Sequence, residues 1–383
     1  IKIMISHDVL AFITKNNKEE FEPYYLYDSS EIKQNCRTFQ NISYKNKSIH
    51  FATMANINSD FLKIIKEENT NVFVNSMGHL KQVMDVGYKG HEIIFTSSAM
   101  TEKMMKTIKT NGIKTYLDSP MQLRRWSKLN PNIPVGIRCN IGDSIKPYSN
   151  HAGSFIGKTS RLGFSIEEIK QISDKSKITS IHVYVGTDIT DITYFMNCYS
   201  ALIKIAKYFP NLNSLNFGGG FGVSENGEKT FDIDEYNSQL NKLLEVASKN
   251  LGRDLSIILE PGRIIGANSG YFICNVSDIK KKDNSILVGV NASIAQFPRP
   301  LMYPDLALDP VKVVRDGKVL SGKEQHVSII YGNSTYSRDI FRKDIYLPEI
   351  ETGDILVFGN AGAYSSSSYS EFLGFDKPEE YFI

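Results

Sequence analysis

A chain of 383 residues predicts two domains, at roughly 100–200 residues each, and is long enough to bury a large core without staples. Its 41% hydrophobic and 22% charged residues are ordinary for a soluble globular protein, and a net charge of +2 argues against a nucleic-acid partner. The four scattered cysteines, Cys36, Cys139, Cys198 and Cys274, include no CxxC pair, which argues against a metal or disulfide framework and fits a reducing, cytoplasmic compartment. No apolar run nears the ~18 residues of a membrane span, and the opening stretch IKIMISHDVLAFI lacks the pattern of a secretory signal.

The segment up to residue 24 is predicted to add a strand to the second domain. From residue 49 an alternation begins. β-Branched or apolar runs predict strands at 49–53, 72–75, 92–95, 114–117, 135–139, 178–185, 214–217 and 256–259. Apolar residues at helical spacing, such as Leu240, Leu243, Leu244 and Val246, predict helices at 60–68, 79–86, 102–110, 121–129, 166–175, 193–208 and 234–250. Eight strands alternating with helices predict an α/β fold, a closed (β/α)8 TIM-like barrel over residues 25–265, with an open doubly wound sheet as the alternative. After residue 266 short runs punctuated by Gly, Asn and Asp predict a C-terminal antiparallel β domain over 266–383, joined by residues 1–24.

Two motifs carry chemistry. Gly218-Gly219-Gly220-Phe221-Gly222 follows the seventh predicted strand; glycines let backbone N–H groups close on a phosphate, and a ligand-free turn is the other reading. Glu260-Pro261-Gly262-Arg263 ends the eighth. A carboxylate there faces a barrel's mouth, where it can keep a ring nitrogen protonated, and Arg263 can pair with a phosphate; a salt-bridged loop is the other reading. Their places after strands seven and eight suit a barrel's phosphate site.

With Tyr25-Leu26-Tyr27-Asp28, Ser160-Arg161-Leu162-Gly163-Phe164, Arg299-Pro300-Leu301-Met302-Tyr303 and Gly359-Asn360-Ala361-Gly362-Ala363-Tyr364, these motifs run in an order that resembles the ornithine and diaminopimelate decarboxylases of alanine-racemase-like fold. The resemblance spans residues 24 to 375. It implies pyridoxal 5'-phosphate as cofactor. Gly218, Gly219, Gly220, Gly262, Arg263 and Tyr364 would hold its phosphate, Glu260 its pyridine nitrogen, and Arg138 would lie near its other polar edge. Arg299 and Tyr303 would face the substrate or the phosphate, and Asp339 would read a distal amine. In relatives that last segment comes from the partner subunit, which implies a homodimer with shared active sites.

The chain also departs from the family's pattern. The cofactor lysine sits in an aromatic-Ala-x-Lys-Ala-Asn motif, which here reads Phe51-Ala52-Thr53-Met54-Ala55-Asn56. A thioether can neither bond the cofactor nor carry a proton. Lys47 lies about 23 Å back along the strand, too far to replace it. Tyr184 stands where the family stacks a histidine, with Thr187 still able to bond a phosphate oxygen and His182 read as structural. Phe73 replaces an acidic residue, and Thr335 replaces the cysteine that helps protonate the product. Three readings follow: an engineered replacement of lysine in a decarboxylase, a natural pseudoenzyme or regulatory subunit, and a divergent branch acting on an amino-acid conjugate such as a siderophore precursor. The expected activity is amino-acid decarboxylation, with low turnover in the chain as written; racemisation is a further alternative.

Overall fold

Among the described residues before 24, His7–Asn16 form a helix and none form a strand. Ser6 caps it, its Oγ accepting from the Val9 N–H at 3.3 Å. Asp8 in the first turn suits the helix dipole. Val9 and Ile13, four residues apart, share one face, and both are fully buried. The strand that follows, β1 (Tyr24–Tyr27), belongs to the sheet of the second unit rather than to the barrel. The domain boundary expected at residue 25 is thereby moved.

The computed structural model describes residues 5–17, 20–148, 155–223, 230–282, 285–304, 310–321 and 326–383. It divides into two units, Lys33–Gly222 with Thr230–Gly262, and Ile1–Ile32 with Val223–Lys229 and Arg263–Ile383.

The first unit is a closed barrel of eight parallel strands in sequence order. They are β2 (Lys47–Ala52), β3 (Asn71–Val74), β4 (Ile93–Phe95), β5 (Lys114–Leu117), β6 (Val135–Arg138), β7 (Ile178–His182), β8 (Ser214–Asn216) and β9 (Ser256–Leu259). Pairing of Lys47, Ser48 and Ile49 with Ile257, Ile258 and Leu259 closes the ring. Every predicted barrel strand is present. Side chains alternate: Leu117, Ile137, Ile181, Leu215 and Ile257 are fully buried, each stabilising by about 1.5–3 kcal/mol. The other face looks inward and mixes polar side chains with Phe73, Ile94 and Ile258. Lys114 reaches Ser214, three strands away, across the interior. The helix expected at 166–175 is only Ile166–Lys170, because Asp174 caps a new 3-10 turn by accepting from Ser176 N–H.

The second unit continues with β10 (Gly270–Lys282), β11 (Ser285–Val290), β12 (Val311–Arg315), β13 (Lys318–Val319), β14 (His326–Tyr331), β15 (Ile340–Leu347), β16 (Ile355–Phe358) and β17 (Glu379–Phe382). The sheet order is β13-β12-β16-β10-β11-β14-β15, with β1 beside β10 and β17. Pairing is antiparallel except at β11–β14 and β1–β17, which are parallel. Val9 and Ile13 pack into its core with Tyr24, Leu26 and Ile273. Phe272, Phe297 and Phe341 stack nearly parallel in the same unit. All four cysteines are buried and free. Among the described residues no helix is long and apolar enough to cross a membrane.

Candidate active site

The C-terminal ends of β6 to β9 gather most of the barrel's predicted site residues. Asn216, the last residue of β8, organises them. Its side-chain oxygen accepts from the Gly218 N–H at 2.9 Å, and its Nδ2 donates to Glu260 Oε1 at 2.6 Å. One neutral amide thus ties the glycine loop to the carboxylate. The backbone repeats the link, with Glu260 N–H donating to the Gly218 carbonyl at 2.8 Å.

The loop needs its glycines for space as well as for conformation. Gly218 has φ +64°, and a Cβ there would lie 2.5 Å from the Val183 carbonyl oxygen. A Cβ at Gly219 would lie 2.2 Å from the Glu260 carbonyl oxygen, which no real side chain tolerates. Gly220 accepts from the Ile189 N–H at 2.9 Å. The result is a tight backbone cradle pressed against the end of β9, of the kind whose N–H groups can bind an anion.

Glu260 is 5% exposed. Burial pushes its carboxyl upward, but the nearby His182 and the bond from Asn216 outweigh burial and hold it below the ordinary value. His182 Nε2 stands 3.4 Å from Glu260 Oε2, and neither ring nitrogen of His182 makes a well-formed hydrogen bond. On β6, burial lowers the Arg138 guanidinium's affinity for its proton, with Asp118 and Glu260 as its opposing charges. Asp118 in turn accepts from the Gly163 N–H at 2.9 Å, which anchors the Ser160–Phe164 motif beside it.

Tyr184 and Thr187 come together, their hydroxyl oxygens 3.1 Å apart. The Tyr184 ring packs edge-on against Phe155, with centroids 5.0 Å apart. Met54 follows the end of β2 and is 39% exposed, with Asn75 Nδ2 at 2.7 Å from its sulfur. Its turn is fixed by Ala52 N–H donating to the Pro261 carbonyl at 3.1 Å, so position 54 and the Glu260–Gly262 segment are held beside each other. Phe73 packs partly buried with Ile94, Tyr116 and Ile258 inside the barrel.

The remaining predicted residues lie in the other unit. Arg263 is buried and opens the short helix Arg263–Gly266. The Gly359–Tyr364 loop is stitched to the residues just after it, through Gly362 N–H to Ala267 O at 3.1 Å and Ala361 N–H to Gly270 O at 2.9 Å. Tyr364 there is half-buried with φ +54°. Arg299 is buried, its guanidinium 5.4 Å from the centre of the Tyr303 ring. Thr335 is exposed. Asp339, expected to read a distal amine, has its carboxylate engaged by main-chain and hydroxyl donors. It is 3% exposed, and its carboxylate accepts from Ile294 N–H at 2.7 Å, Ser334 N–H at 3.1 Å, Ser293 Oγ at 3.3 Å and the Ser334 hydroxyl. Four internal donors make it the clasp of its loop.

Sequence reasoning missed Asn216 and gave His182 no part in the site. The signal was there: Ser214 and Asn216 alternate with Leu215 and Phe217, so Asn216 points inward two residues before the glycine run.

The residues fit pyridoxal phosphate in two of three respects. The glycine cradle suits the phosphate, and the buried anionic Glu260 suits the ring nitrogen. Position 54 offers no amine for a covalent bond.

Comparison with known proteins gives the same frame. Residues 29–267 match the family described as pyridoxal-dependent decarboxylase, pyridoxal binding domain. A diaminopimelate decarboxylase of Helicobacter pylori is 30% identical over 366 residues, covering 91% of this chain and 87% of that protein. The crystal structure of diaminopimelate decarboxylase from the same organism complexed with L-lysine superposes with a TM-score of 0.86 at 26% identity, covering 97% of this chain and 93% of that one. The lysine/ornithine decarboxylase of Vibrio vulnificus complexed with putrescine shares the fold, with a TM-score of 0.84, 19% identity and 99% of each chain covered.

Proposed function

Because this chain belongs to the pyridoxal-dependent decarboxylase family, whose cofactor is pyridoxal phosphate, we propose that its barrel holds that cofactor without a covalent bond and serves amino-acid decarboxylation at low turnover. One observation carries the reading: the glycine loop and the Glu260 carboxylate are joined through Asn216 into a single anion-and-ring cradle, while position 54 is a thioether.

Bound pyridoxal phosphate supplies an electron sink for the bond to the departing carboxylate. The chain's own residues do the rest. N–H groups of Gly219 and Gly220 would hold the phosphate, with Thr187 and the Gly262-Arg263 pair as further donors, while the Gly218 N–H is taken by Asn216. Glu260, kept ionised, would hold a proton on the ring nitrogen. Tyr184 would pack on the ring, and Arg138 would supply positive charge at its polar edge. Met54 can neither bond the cofactor nor pass a proton, and the Thr335 hydroxyl is far less acidic than a thiol, so product protonation is slow. Arg299, Tyr303 and Tyr364 keep the roles that the family likeness gives them. The substrate class is an α-amino acid or an amino-acid conjugate, and the assembly is a homodimer, which sedimentation tests.

The experiment is titration of the purified chain with pyridoxal phosphate, then borohydride reduction and intact-mass spectrometry. The reading expects one cofactor bound per chain, released by dialysis, with no mass added after reduction. A cofactor mass fixed to any lysine contradicts it, and so does the absence of binding.

A further inference from the structure

An aromatic residue stands at each end of the three consecutive glycines of the loop after β8. Phe217 precedes Gly218 and Phe221 follows Gly220, and both rings are buried. Phe217 stacks on Tyr199 of the helix Ile192–Ala206, with ring centroids 4.0 Å apart and planes 19° from parallel. Phe221 stacks on Phe195 of the same helix at 5.1 Å and meets Tyr236 of the helix Ile233–Leu251 edge-on at 5.4 Å. Phe39 and Phe231 approach the same ring at 5.0 Å and 5.3 Å. The Tyr199 and Tyr236 hydroxyls lie 3.0 Å apart and bond each other, so burying them leaves the cluster satisfied.

The backbone adds a second connection. Ile189 N–H donates to the Gly220 carbonyl and Gly222 N–H to the Ile189 carbonyl, both at 2.9 Å. Phe221 and Ile189 thereby pair as a short parallel bridge. It joins the glycine loop to the loop after β7 that carries Tyr184 and Thr187. The approach is close: a Cβ at Gly220 would lie 2.4 Å from the Gly186 carbonyl oxygen. The two loops form one hydrogen-bonded unit, and the Phe221 ring roots that unit in the core.

Four glycines in five residues would alone make a loose segment, because glycine loses more conformational freedom on ordering than any other residue. A loose cradle binds in proportion to the fraction of time it is formed. Stacked and edge-on aromatic pairs stabilise beyond the area they bury, so rings at both ends can fix the backbone that the glycines leave free.

We propose that Phe221 is a positioning residue for the phosphate cradle: seated with Phe217 in the aromatic cluster, it keeps residues 218–222 formed before any ligand arrives and holds the Tyr184–Thr187 loop beside them. The consequence for phosphate affinity rests on the reading of the glycine loop given above; the formation of the cradle in the empty chain does not.

The test is amide hydrogen exchange on the cofactor-free full chain, wild type against Phe221→Leu. It is read at Ile189 and Gly222, whose N–H groups make the two loop-to-loop bonds. The reference is the amides of β3 and β4, across the ring from β7 and β8. The proposal expects exchange at Ile189 and Gly222 to rise about tenfold more than in the reference strands, since only the loops open more often. It also expects Phe221→Leu to bind pyridoxal phosphate about tenfold more weakly, as a cradle formed about a tenth of the time would. Should Phe221→Leu fail to fold, Phe231→Leu, at the half-buried rim of the cluster, decides by the same measurement. Unchanged exchange at Ile189 and Gly222, or an equal rise in every strand, makes Phe221 an ordinary core residue and overturns the proposal. If the wild-type chain binds no pyridoxal phosphate, the functional reading falls, and the exchange comparison still decides this one.

Discussion

Two residues bear more than their sequence suggests. Met54 follows Ala52, whose N–H donates to the Pro261 carbonyl and holds the turn beside the Glu260–Gly262 segment. Restoring the amine should restore the bond. Met54→Lys is predicted to keep pyridoxal phosphate through dialysis, to gain its mass after borohydride, and to raise CO2 release from the α-amino acids tested by about tenfold or more, at ~1.4 kcal/mol of barrier per tenfold. Unchanged release in a variant that carries the mass places the defect elsewhere. Asp339 is the second. Removing its carboxylate strands the Ile294 and Ser334 N–H groups and the Ser293 and Ser334 hydroxyls. Asp339→Ala is predicted to cost about 2–4 kcal/mol in urea unfolding. A variant as stable as wild type returns Asp339 to a substrate-reading role.

At the scale of elements, the glycine loop and the N-terminal helix make separate demands. Gly219→Ala places a methyl 2.2 Å from the Glu260 carbonyl oxygen, so the backbone must shift. It is predicted to lose about 1–3 kcal/mol of stability and to weaken pyridoxal phosphate binding at least tenfold by equilibrium dialysis. Ile13→Ala, in the helix that packs on the β unit, is predicted to cost about 2–5 kcal/mol with cofactor binding unchanged. The barrel strands were legible in the sequence because each is a short apolar run between amphipathic helices, and the glycine and Glu260 motifs because they sit at strand ends. The helix at His7–Asn16 was not, because a short apolar stretch reads as strand or helix alike until Ser6 is seen as its cap. The bond between Lys114 and Ser214 was not legible either, since it joins residues 100 apart in the chain. The saturation of Asp339 was equally hidden, because its donors come from two loops that only the fold brings together.

For the whole molecule the buried charges set the response to pH. Burial lowers the His50 pKa from its ordinary 6.5 to about 4. Between those values the unfolded chain binds the proton and the folded chain does not, so stability rises with pH from about 4 to 6.5 and falls as acid is added. His50→Gln is predicted to flatten that rise in urea unfolding at a series of pH values, and an unaltered slope contradicts the assignment. Lys114, lowered from 10.5 to about 8, costs stability while charged in the folded state. Its replacement by Met is predicted to raise stability near pH 7 by up to about 3 kcal/mol, which would mark a lysine kept at the expense of the fold.

The most direct measurement is 31P NMR of pyridoxal phosphate added to the purified chain. The account predicts a broadened bound resonance shifted from that of the free cofactor, at one equivalent per chain, and absent in Gly219→Ala. A resonance that stays sharp and unshifted with the wild-type chain would contradict it.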